Sequence, residues 1–483
     1  MKSPANFQVT AFFTLLLISV GCAVGPNYKR PSAVAPPAFK EQPPVNFKEA
    51  EAAGWKQSQP SDAYSKGRWW ELYNDAALNA LEEQVSVSNQ NVLQAEAQYR
   101  EAKAAAGVAR AALSPAVTTA PASNFAGGTN SASTGTSGTR KSFTLPVNIS
   151  WEPDLWGNIR RGATASAATA QSLAADVGNA RLLYQAELAL DYFGLHGNDG
   201  EAELLTRTEV SYKEYLKLTG NRVSAGVASG LDVAQAETQL YAVQAQLMDL
   251  GVARAAYEHA IAILIGKAPA DLTLPAVTLN TLPPSVPMGV PSELLERRPD
   301  IASAERRVAA ANEQIGIAIA AYYPNLSLTG GGGLESSSLA KWFSWPSRFW
   351  SVGAQLADTL FDAGRRRGIV AEERAAYEAT VAAYRETVLT AMQQVEDNLA
   401  ALRILAAESD KVQQTIQAAT RALEISTAQY RSGTVDYLAV ITAQATLLSA
   451  DVTAITLLNR RLSASVLLIE GLGGGWNASQ LPK

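Results

Sequence analysis

Few side chains in this sequence could take part in chemistry. Its 483 residues include one Cys and two His, so no intrachain disulfide can form and the commonest general base is almost absent. The phosphate-binding pattern G-x-x-x-x-G-K-[ST], the zinc pattern H-E-x-x-H, the pair C-x-x-C and the nucleophile pattern G-x-S-x-G do not occur. The sequence therefore predicts no enzyme activity, no metal site and no cofactor.

The charge balance argues against one class of partner. Lys and Arg number 40 and Asp and Glu number 45, which gives a formal net charge of −5, whereas a general nucleic-acid binder needs a basic face. Charged residues make up 18% of the chain, below the roughly 25% of an ordinary soluble domain. Such a chain is expected either to bury much of its surface or to face something other than water.

The single Cys follows a short apolar run near the N-terminus. Residues 11–20 are mostly apolar and come after one positive charge, Lys2, a pattern typical of an export signal. The stretch Ser19-Val20-Gly21-Cys22 resembles the lipobox of bacterial lipoproteins, although Ser19 stands where an aliphatic residue is usual. The resemblance implies that residues 1–21 are removed, that Cys22 is acylated by a lipid such as palmitate, and that the protein reaches the outer membrane. An ordinary export signal with an incidental Cys is the alternative.

The remaining chain divides into a tether and two copies of one unit. Residues 22–65 are rich in Pro and polar residues, which predicts an extended, lipid-anchored linker. Gly226–Leu231 corresponds to Gly433–Leu438, and Leu155-Trp156 corresponds to Leu360-Phe361, at nearly the same offset. These landmarks predict a first repeat at 66–271, a Pro-rich linker at 272–291, a second repeat at 292–475 and a tail at 476–483.

Each repeat predicts a helix, a hairpin, a very long helix and a return helix. The ranges are 76–113, 116–151, 162–225 and 231–265, then 300–322, 325–359, 367–432 and 435–470. At 1.5 Å per residue the long helices would reach about 95–100 Å. Apolar residues recur at alternating steps of three and four from Leu438 to Ile469, which predicts coiled-coil packing. His196–Gly200 is expected to break or bend the first long helix, and no apolar run after Trp55 reaches the length of a transmembrane helix.

The hairpins indicate a membrane. From Ser142 to Trp151 apolar and polar residues alternate without a miss, as in a tilted outer-membrane strand; a soluble two-sheet domain is the alternative. The predicted strands lie at about 116–126, 142–151, 325–334 and 348–357. Because open edges do not survive in hydrocarbon and the smallest barrels have about eight strands, several chains must share one barrel. Three chains would supply twelve strands.

Several motifs carry a family resemblance that covers most of the mature chain. They are Gly25–Pro31, Trp69-Trp70, Leu294–Ile301, Tyr323–Gly330 and Leu360–Arg367. The chain resembles the TolC-like outer membrane efflux proteins, in particular the NodT- or OprM-type lipoproteins. The resemblance implies a mainly α fold in which long antiparallel coiled-coil helices form a periplasmic α-barrel beneath a twelve-stranded, trimeric β-barrel. It also implies a periplasmic adaptor and an inner-membrane transporter of the RND type as partners.

The same resemblance assigns roles at the turns after the long helices. Gly226 and Gly433 become the periplasmic tip turns, Leu438 a steric gate and Tyr430 a latch to a neighbouring helix. The acidic ring of the family pattern is missing, because its positions fall on Ala439 and Thr442; Asp436 lies nearby. Thr442 and Asp436 are included with Leu438 and Tyr430 in the predicted gate.

Three functions fit these observations. The first is a passive exit duct for drugs or other small molecules, and the second is the same duct in type I protein secretion. The third is a structural coiled-coil lipoprotein that transports nothing. Arginines just below the barrel, at 160–161 and 365–367, are expected to meet lipid phosphates or the lumen, or to form a solvated face.

Overall fold

A computed structural model describes residues 23–33, 36–41, 67–128, 138–279, 281–284 and 294–482. Within these ranges the chain is mainly helical, with a small antiparallel sheet, as predicted. The helices longer than one turn are α1 (Ala76–Ser88), α2 (Gln90–Ala111), α3 (Asn158–Ser224), α4 (Gly230–Leu264), α5 (Pro299–Ala320), α6 (Arg365–Ser432) and α7 (Tyr437–Gly471). The strands are β1 (Ala116–Thr119), β2 (Ala122–Gly128), β3 (Gly138–Trp151), β4 (Asn325–Ser336) and β5 (Arg348–Ala357).

The elements contribute to two compact units, each assembled from three stretches of chain. The sheet unit takes its residues from Met1–Ser32, Tyr99–Leu173 and Ala304–Tyr384. The helical unit takes its residues from Ala33–Gln98, Ala174–Ser303 and Arg385–Lys483. Both repeats of the sequence therefore supply parts of both units.

The sheet unit joins the hairpins of the two repeats through β3 and β4. Both β1 and β2 pair with β3, β3 pairs with β4, and β4 pairs with β5, all antiparallel. The single strand that we expected over 116–126 is interrupted around Pro121. Pairing with β2 ends at Thr144 and pairing with β1 begins at Val147, so Pro146, which has no N–H to donate, lies opposite this interruption.

One face of the sheet is apolar and is left uncovered by the chain itself. Val147 and Ile149 on β3 are 47% and 46% exposed, while Trp350 and Val352 on β5 are 82% and 81% exposed. A soluble domain would pack such a face against a second layer. Here the described residues supply no such layer, so the apolar face is available to another apolar environment.

In the helical unit, an Asn divides the helix that we expected over 76–113. Asn89 has extended backbone angles and ends α1. Its side-chain oxygen accepts from the backbone N–H groups of Asn91 and Val92, and its amide donates to the carbonyl of Leu264 at 2.9 Å. The side chain thus caps α2 and holds α4 at the same point, which explains a break that apolar spacing does not reveal.

The expected break at His196–Gly200 does not occur, because α3 is continuous from Asn158 to Ser224. Gly194 and Gly197 of α3 lie where other helices pack closely against it. A Cβ on Gly197 would come within 3.3 Å of the Asn459 amide, and one on Gly194 would meet the ring of Tyr257. The glycines therefore let neighbouring helices approach, and this gain in packing offsets their low helix propensity.

The first part of the linker between the repeats is bound to the helical unit. Asp199 accepts from the backbone N–H of Val277 at 3.2 Å and forms an ion pair with Arg254 at 2.8 Å. Arg254 also donates to the carbonyl of Leu274 at 2.7 Å, and a ring nitrogen of His196 lies 2.9 Å from the carbonyl of Val277. Two charged side chains and one His thus satisfy the backbone of a segment that has no helix or strand of its own.

The Leu294–Ile301 motif has a structural role. Arg298 is 8% exposed and donates to both carboxylate oxygens of Asp300, at 3.0 and 2.6 Å. The same guanidinium donates to the Gln394 side chain and to the carbonyl of Gly471, at 2.9 and 3.0 Å. One buried cation therefore joins the start of α5 to α6 and to the end of α7.

Helix α7 is the one described helix long and apolar enough to cross a membrane, judged by length and composition alone. From the sequence we expected no segment after Trp55 to be long and apolar enough for this. Charged residues interrupt it at Asp451, Arg460, Arg461 and Glu470. Its apolar residues follow the three-and-four spacing of a coiled-coil seam, which also accounts for the high apolar content.

A carboxyl group is buried in α1 without a partner. Glu82 is fully buried, and neither of its carboxyl oxygens has a hydrogen-bond partner among the described residues. This burial raises the pKa of Glu82 well above its usual range. A carboxyl whose pKa is raised on folding binds protons more tightly in the folded state, so it weakens folding as pH rises above the unfolded pKa of about 4.3.

We therefore expect Glu82→Gln to stabilise the protein relative to wild type by an amount that grows with pH. The difference should be near zero below pH 4, grow by up to about 1.4 kcal/mol per pH unit and become constant above the folded pKa. Thermal unfolding of both proteins at several pH values measures it, and Glu83→Gln, at an exposed neighbour, is the control. A wild-type-to-variant difference that does not change with pH would contradict a buried, titrating Glu82.

Candidate functional site

The predicted tip turns have the same local structure. In the first, Gly226 has φ +75°, its N–H donates to the carbonyl of Val223, and the N–H of Val227 donates to Arg222. In the second, Gly433 has φ +77°, and the N–H groups of Gly433 and Thr434 donate to Tyr430 and Gln429. Both are Schellman motifs, whose left-handed position favours Gly because a Cβ would clash there.

The return helices begin with side-chain caps at corresponding positions. Ser229 and Asp232 form a capping box at the start of α4. Asp436 precedes α7 and accepts from the backbone N–H of Ala439 at 3.3 Å. The structure thus gives Asp436 a helix-capping contact beside the predicted gate.

Three tyrosines pack behind the turns. Tyr430 and Tyr437 are 3% and 1% exposed, and their ring centroids lie 5.3 Å apart. Tyr215 lies 6.3 Å from Tyr437 and shares a hydrogen bond of 3.2 Å with Thr427. Burial, followed by the neighbouring tyrosines, raises the pKa of Tyr437. Tyr437 therefore remains uncharged, and the three rings join α3 to α6 and α7.

Arg222 connects the two turns, and sequence reasoning missed it. Its guanidinium lies 4.5 Å from the ring centroid of Tyr430 and donates to the Tyr430 backbone carbonyl at 2.8 Å. A cation is favourable there because that carbonyl belongs to the last turn of α6. The available signal was a basic residue four positions before Gly226, in the last turn of a long helix.

Three of the four predicted gate residues are exposed, among them Asp436, and the fourth is buried. Leu438 is 53% exposed, and Thr442 is exposed with its hydroxyl donating to the carbonyl of Leu438 at 2.9 Å. The corresponding residue of the first repeat, Leu231, is also exposed. Tyr430 is buried, and neither its hydroxyl nor Nε of Arg222 has a hydrogen-bond partner among the described residues.

Cys22 lies outside the described residues, but the segment directly after it is held by several contacts. The N–H of Val24 donates to the carbonyl of Trp156 at 3.0 Å, and Nε of Arg161 donates to the carbonyl of Val24 at 2.8 Å. The Tyr28 hydroxyl donates to Glu305. Residues 23–32 are therefore held on the sheet unit, close to the ends of the strands.

Three of the five arginines below the strands are engaged within the chain, whereas Arg365 and Arg367 are exposed. Arg160 pairs with Asp154 at 3.0 Å, and Arg366 pairs with Asp362 at 2.6 Å. Arg161 is buried and pairs with Glu313 at 2.7 Å. Our expectation that this group meets lipid or lumen is therefore wrong for Arg161, whose guanidinium is enclosed by protein.

No group of His, Cys, Asp and Glu suited to holding a metal ion occurs in the part of the chain that the structure describes. The site is thus built from turns, packed tyrosines and exposed apolar side chains. Such an arrangement can hold or release a constriction.

Known proteins resemble the chain along most of its length. The profile of the family described as outer membrane efflux protein matches residues 81–267 and 290–474. The chain is 30% identical to the probable efflux pump outer membrane protein TtgC of Pseudomonas putida, over 98% of this chain and 96% of that protein. It is also 30% identical to outer membrane protein OprJ of Pseudomonas aeruginosa, over 99% and 97% of the two chains.

Solved structures of outer-membrane channels have a fold similar to that of this chain. The outer-membrane channel OprN has a TM-score of 0.86 and 29% identity, with 94% of this chain and 100% of that chain covered. These matches confirm the predicted fold class and the predicted family resemblance. The proteins matched are outer membrane channels rather than enzymes.

Proposed function

The chain belongs to the outer membrane efflux protein family, and from this we propose that it is the outer membrane exit duct of a tripartite efflux system. It would receive drugs or other small molecules from an inner-membrane transporter of the RND type, through a periplasmic adaptor. The observation that carries the proposal is the near-full-length match to proteins named for efflux pumps, in a chain with an uncovered apolar sheet and two helices of 67 and 68 residues.

We propose a homotrimer, because the open sheet requires several chains to share one barrel and the family resemblance implies three. Both β1 and β2 pair with the same side of β3, so together they count as one strand of the sheet. The described strands of each chain therefore form a sheet four strands wide, and its two outer edges are unpaired. Open edges are not tolerated in hydrocarbon, and closed barrels need about eight strands or more. Three chains would close a barrel of twelve positions, with the apolar face toward lipid.

We place the closed constriction at the helix tips. Leu438 and Thr442 project from the first turns of α7 without covering neighbours in the single chain, as lumen-facing residues would. The Tyr430 ring packs against Arg222 of α3, a contact that would hold the tip helices together in the closed state. Opening would be a shift between two packings of the tip helices when the adaptor docks.

Leu438→Ala is expected to raise the conductance of the purified protein several-fold in planar bilayers, because it widens a steric constriction. Val252→Ala, also at an exposed apolar position but on the middle of α4, is the matched control and should conduct like wild type. Equal conductance of the Leu438 variant and wild type would remove Leu438 from the gate.

Cys22 is proposed to carry the lipid anchor, with residues 1–21 removed and 22–65 as the linker. The adjoining residue, Ala23, packs against Gly157, close to the end of β3, where an acyl chain would enter the membrane. Cys22→Ser should lose all incorporation of labelled palmitate, whereas Ser19→Ala should keep it. Labelled lipid on the Cys22 variant would contradict the assignment.

A deletion strain tests the function itself. With the cognate transporter present, it should accumulate drug, and the wild-type gene should restore efflux. Loss of a secreted protein without drug accumulation would favour type I secretion instead. Absence of conductance by the purified protein would favour a structural lipoprotein.

A further inference from the structure

A surface cavity of about 510 Å³ lies in the sheet unit, between the pinned N-terminal segment and helices α5 and α6. A volume of this size is within the range of small-molecule sites. Its lining residues are Gly25, Pro26, Asn27, Lys29, Asn312, Ile315, Ile319, Arg374 and Tyr377. The proposed gate and the predicted lipidation site use none of them.

The lining is cationic. It contains Lys29 and Arg374 and no carboxylate. Neither cation forms a salt bridge with another residue of the described ranges. The acidic side chains near the segment are already engaged, since Glu313 pairs with Arg161 and Glu305 pairs with Arg306. Two positive charges therefore face the cavity without compensation from its walls.

Amide and apolar groups complete the lining. Asn27 offers an amide donor, whereas Asn312 already donates to the carbonyl of Pro26 and to the Glu313 carboxylate, each at 3.3 Å. Ile315 is 6% exposed and, with Ile319, forms an apolar part of the wall. Cations and an amide donor beside an apolar surface suit a phosphate attached to a hydrocarbon group.

The cavity lies close to where the strands end. Ile319 is in the last turn of α5, and β4 begins six residues later, at Asn325. Residue 23, directly after the proposed acylation site, belongs to the same segment as Lys29. Because the strands carry the lipid-facing residues, the cavity is expected near the level of the headgroups of the inner leaflet.

We propose that this cavity binds the phosphate of an anionic phospholipid headgroup. Lys29 and Arg374 neutralise the phosphate, the amide of Asn27 donates to one of its oxygens, and the isoleucines contact the glycerol end of the lipid. The proposal rests on the outer membrane location proposed above. A zwitterionic headgroup fits less well, because its ammonium would face two cations.

Lipid retention by the purified full-length protein tests the site. Native mass spectrometry would compare phosphatidylglycerol with phosphatidylethanolamine on wild type and on the Lys29→Gln/Arg374→Gln double variant. Lys103→Gln/Arg110→Gln is the matched control, because both cations are exposed on α2 in the same unit and removing them changes the charge equally. We expect wild type and control to prefer phosphatidylglycerol, and the double variant to bind it roughly tenfold or more weakly.

Inorganic phosphate is the second probe and separates a lipid from a free anion. It should compete poorly at matched concentration, since it lacks the groups that the isoleucines contact. Equal competition, equal binding of the two lipids, or unchanged binding by the double variant would each overturn the proposal. Planar-bilayer conductance of the same preparations reports the duct separately, so a conducting protein without lipid preference overturns only the site.

Discussion

Replacing Arg161 by Gln is expected to destabilise the protein by about 3–5 kcal/mol, because it leaves Glu313 as a buried charge without its cation. The pair is 2.7 Å long, and its side chains are only 6% and 11% exposed. The same guanidinium donates to the carbonyl of Val24, so the variant should also loosen residues 23–32. The thermal midpoint and the rate of trypsin cleavage after Lys29 measure the two effects.

Arg160→Gln is the matched control. Its partner, Asp154, still accepts from the backbone N–H groups of Ile159 and Arg160, and Arg160 is itself 37% exposed. The control should therefore lose only about 1 kcal/mol or less. Arg161→Leu combined with Glu313→Leu should recover part of the stability, because no buried charge remains. Similar midpoints for the Arg160 and Arg161 single variants would contradict the argument.

The long helices and the tip turns are features that sequence can reveal. Ala, Leu, Glu and Gln over more than sixty residues favour a helix strongly, and Gly at matching positions of two repeats marks a reversal that requires positive φ. The structure places helix ends within a few residues of the predicted ones, and both glycines are left-handed. These signals are local, so one sequence is sufficient to read them.

Long-range contacts are what the sequence could not supply. Asn89 ends a helix because its amide reaches Leu264, 175 residues away, and Arg222 matters because Tyr430 lies beside it in the fold. The glycines around His196 looked like a helix break, yet they accommodate Tyr257 and Asn459. In each case a tertiary partner decides between alternatives that the local sequence leaves open.

The sheet shows the same division between local and long-range information. The alternation from Ser142 to Trp151 predicted one apolar face, whereas the interruption of the first strand opposite Pro146 depends on a pairing that no local pattern shows. The cavity beside Lys29 depends even more on long-range contacts, since its walls come from the N-terminal segment and from two helices of the second repeat. Neither could be found without the fold.

Replacing Arg222 by Gln is expected to raise the conductance of the purified protein in planar bilayers about tenfold or more. The variant removes a cation–π contact with the Tyr430 ring and a hydrogen bond to its carbonyl. Together these are worth about 2–3 kcal/mol, and 1.4 kcal/mol shifts a two-state equilibrium tenfold. If the contacts hold the closed packing of the tips, their loss moves the population toward the open packing.

Arg207→Gln is the matched control. Arg207 is exposed on the same helix about 22 Å away, so the variant changes the charge equally and should conduct like wild type. A rise in both variants would indicate a general charge effect, and a rise in neither would mean that Arg222 does not hold the tip closed.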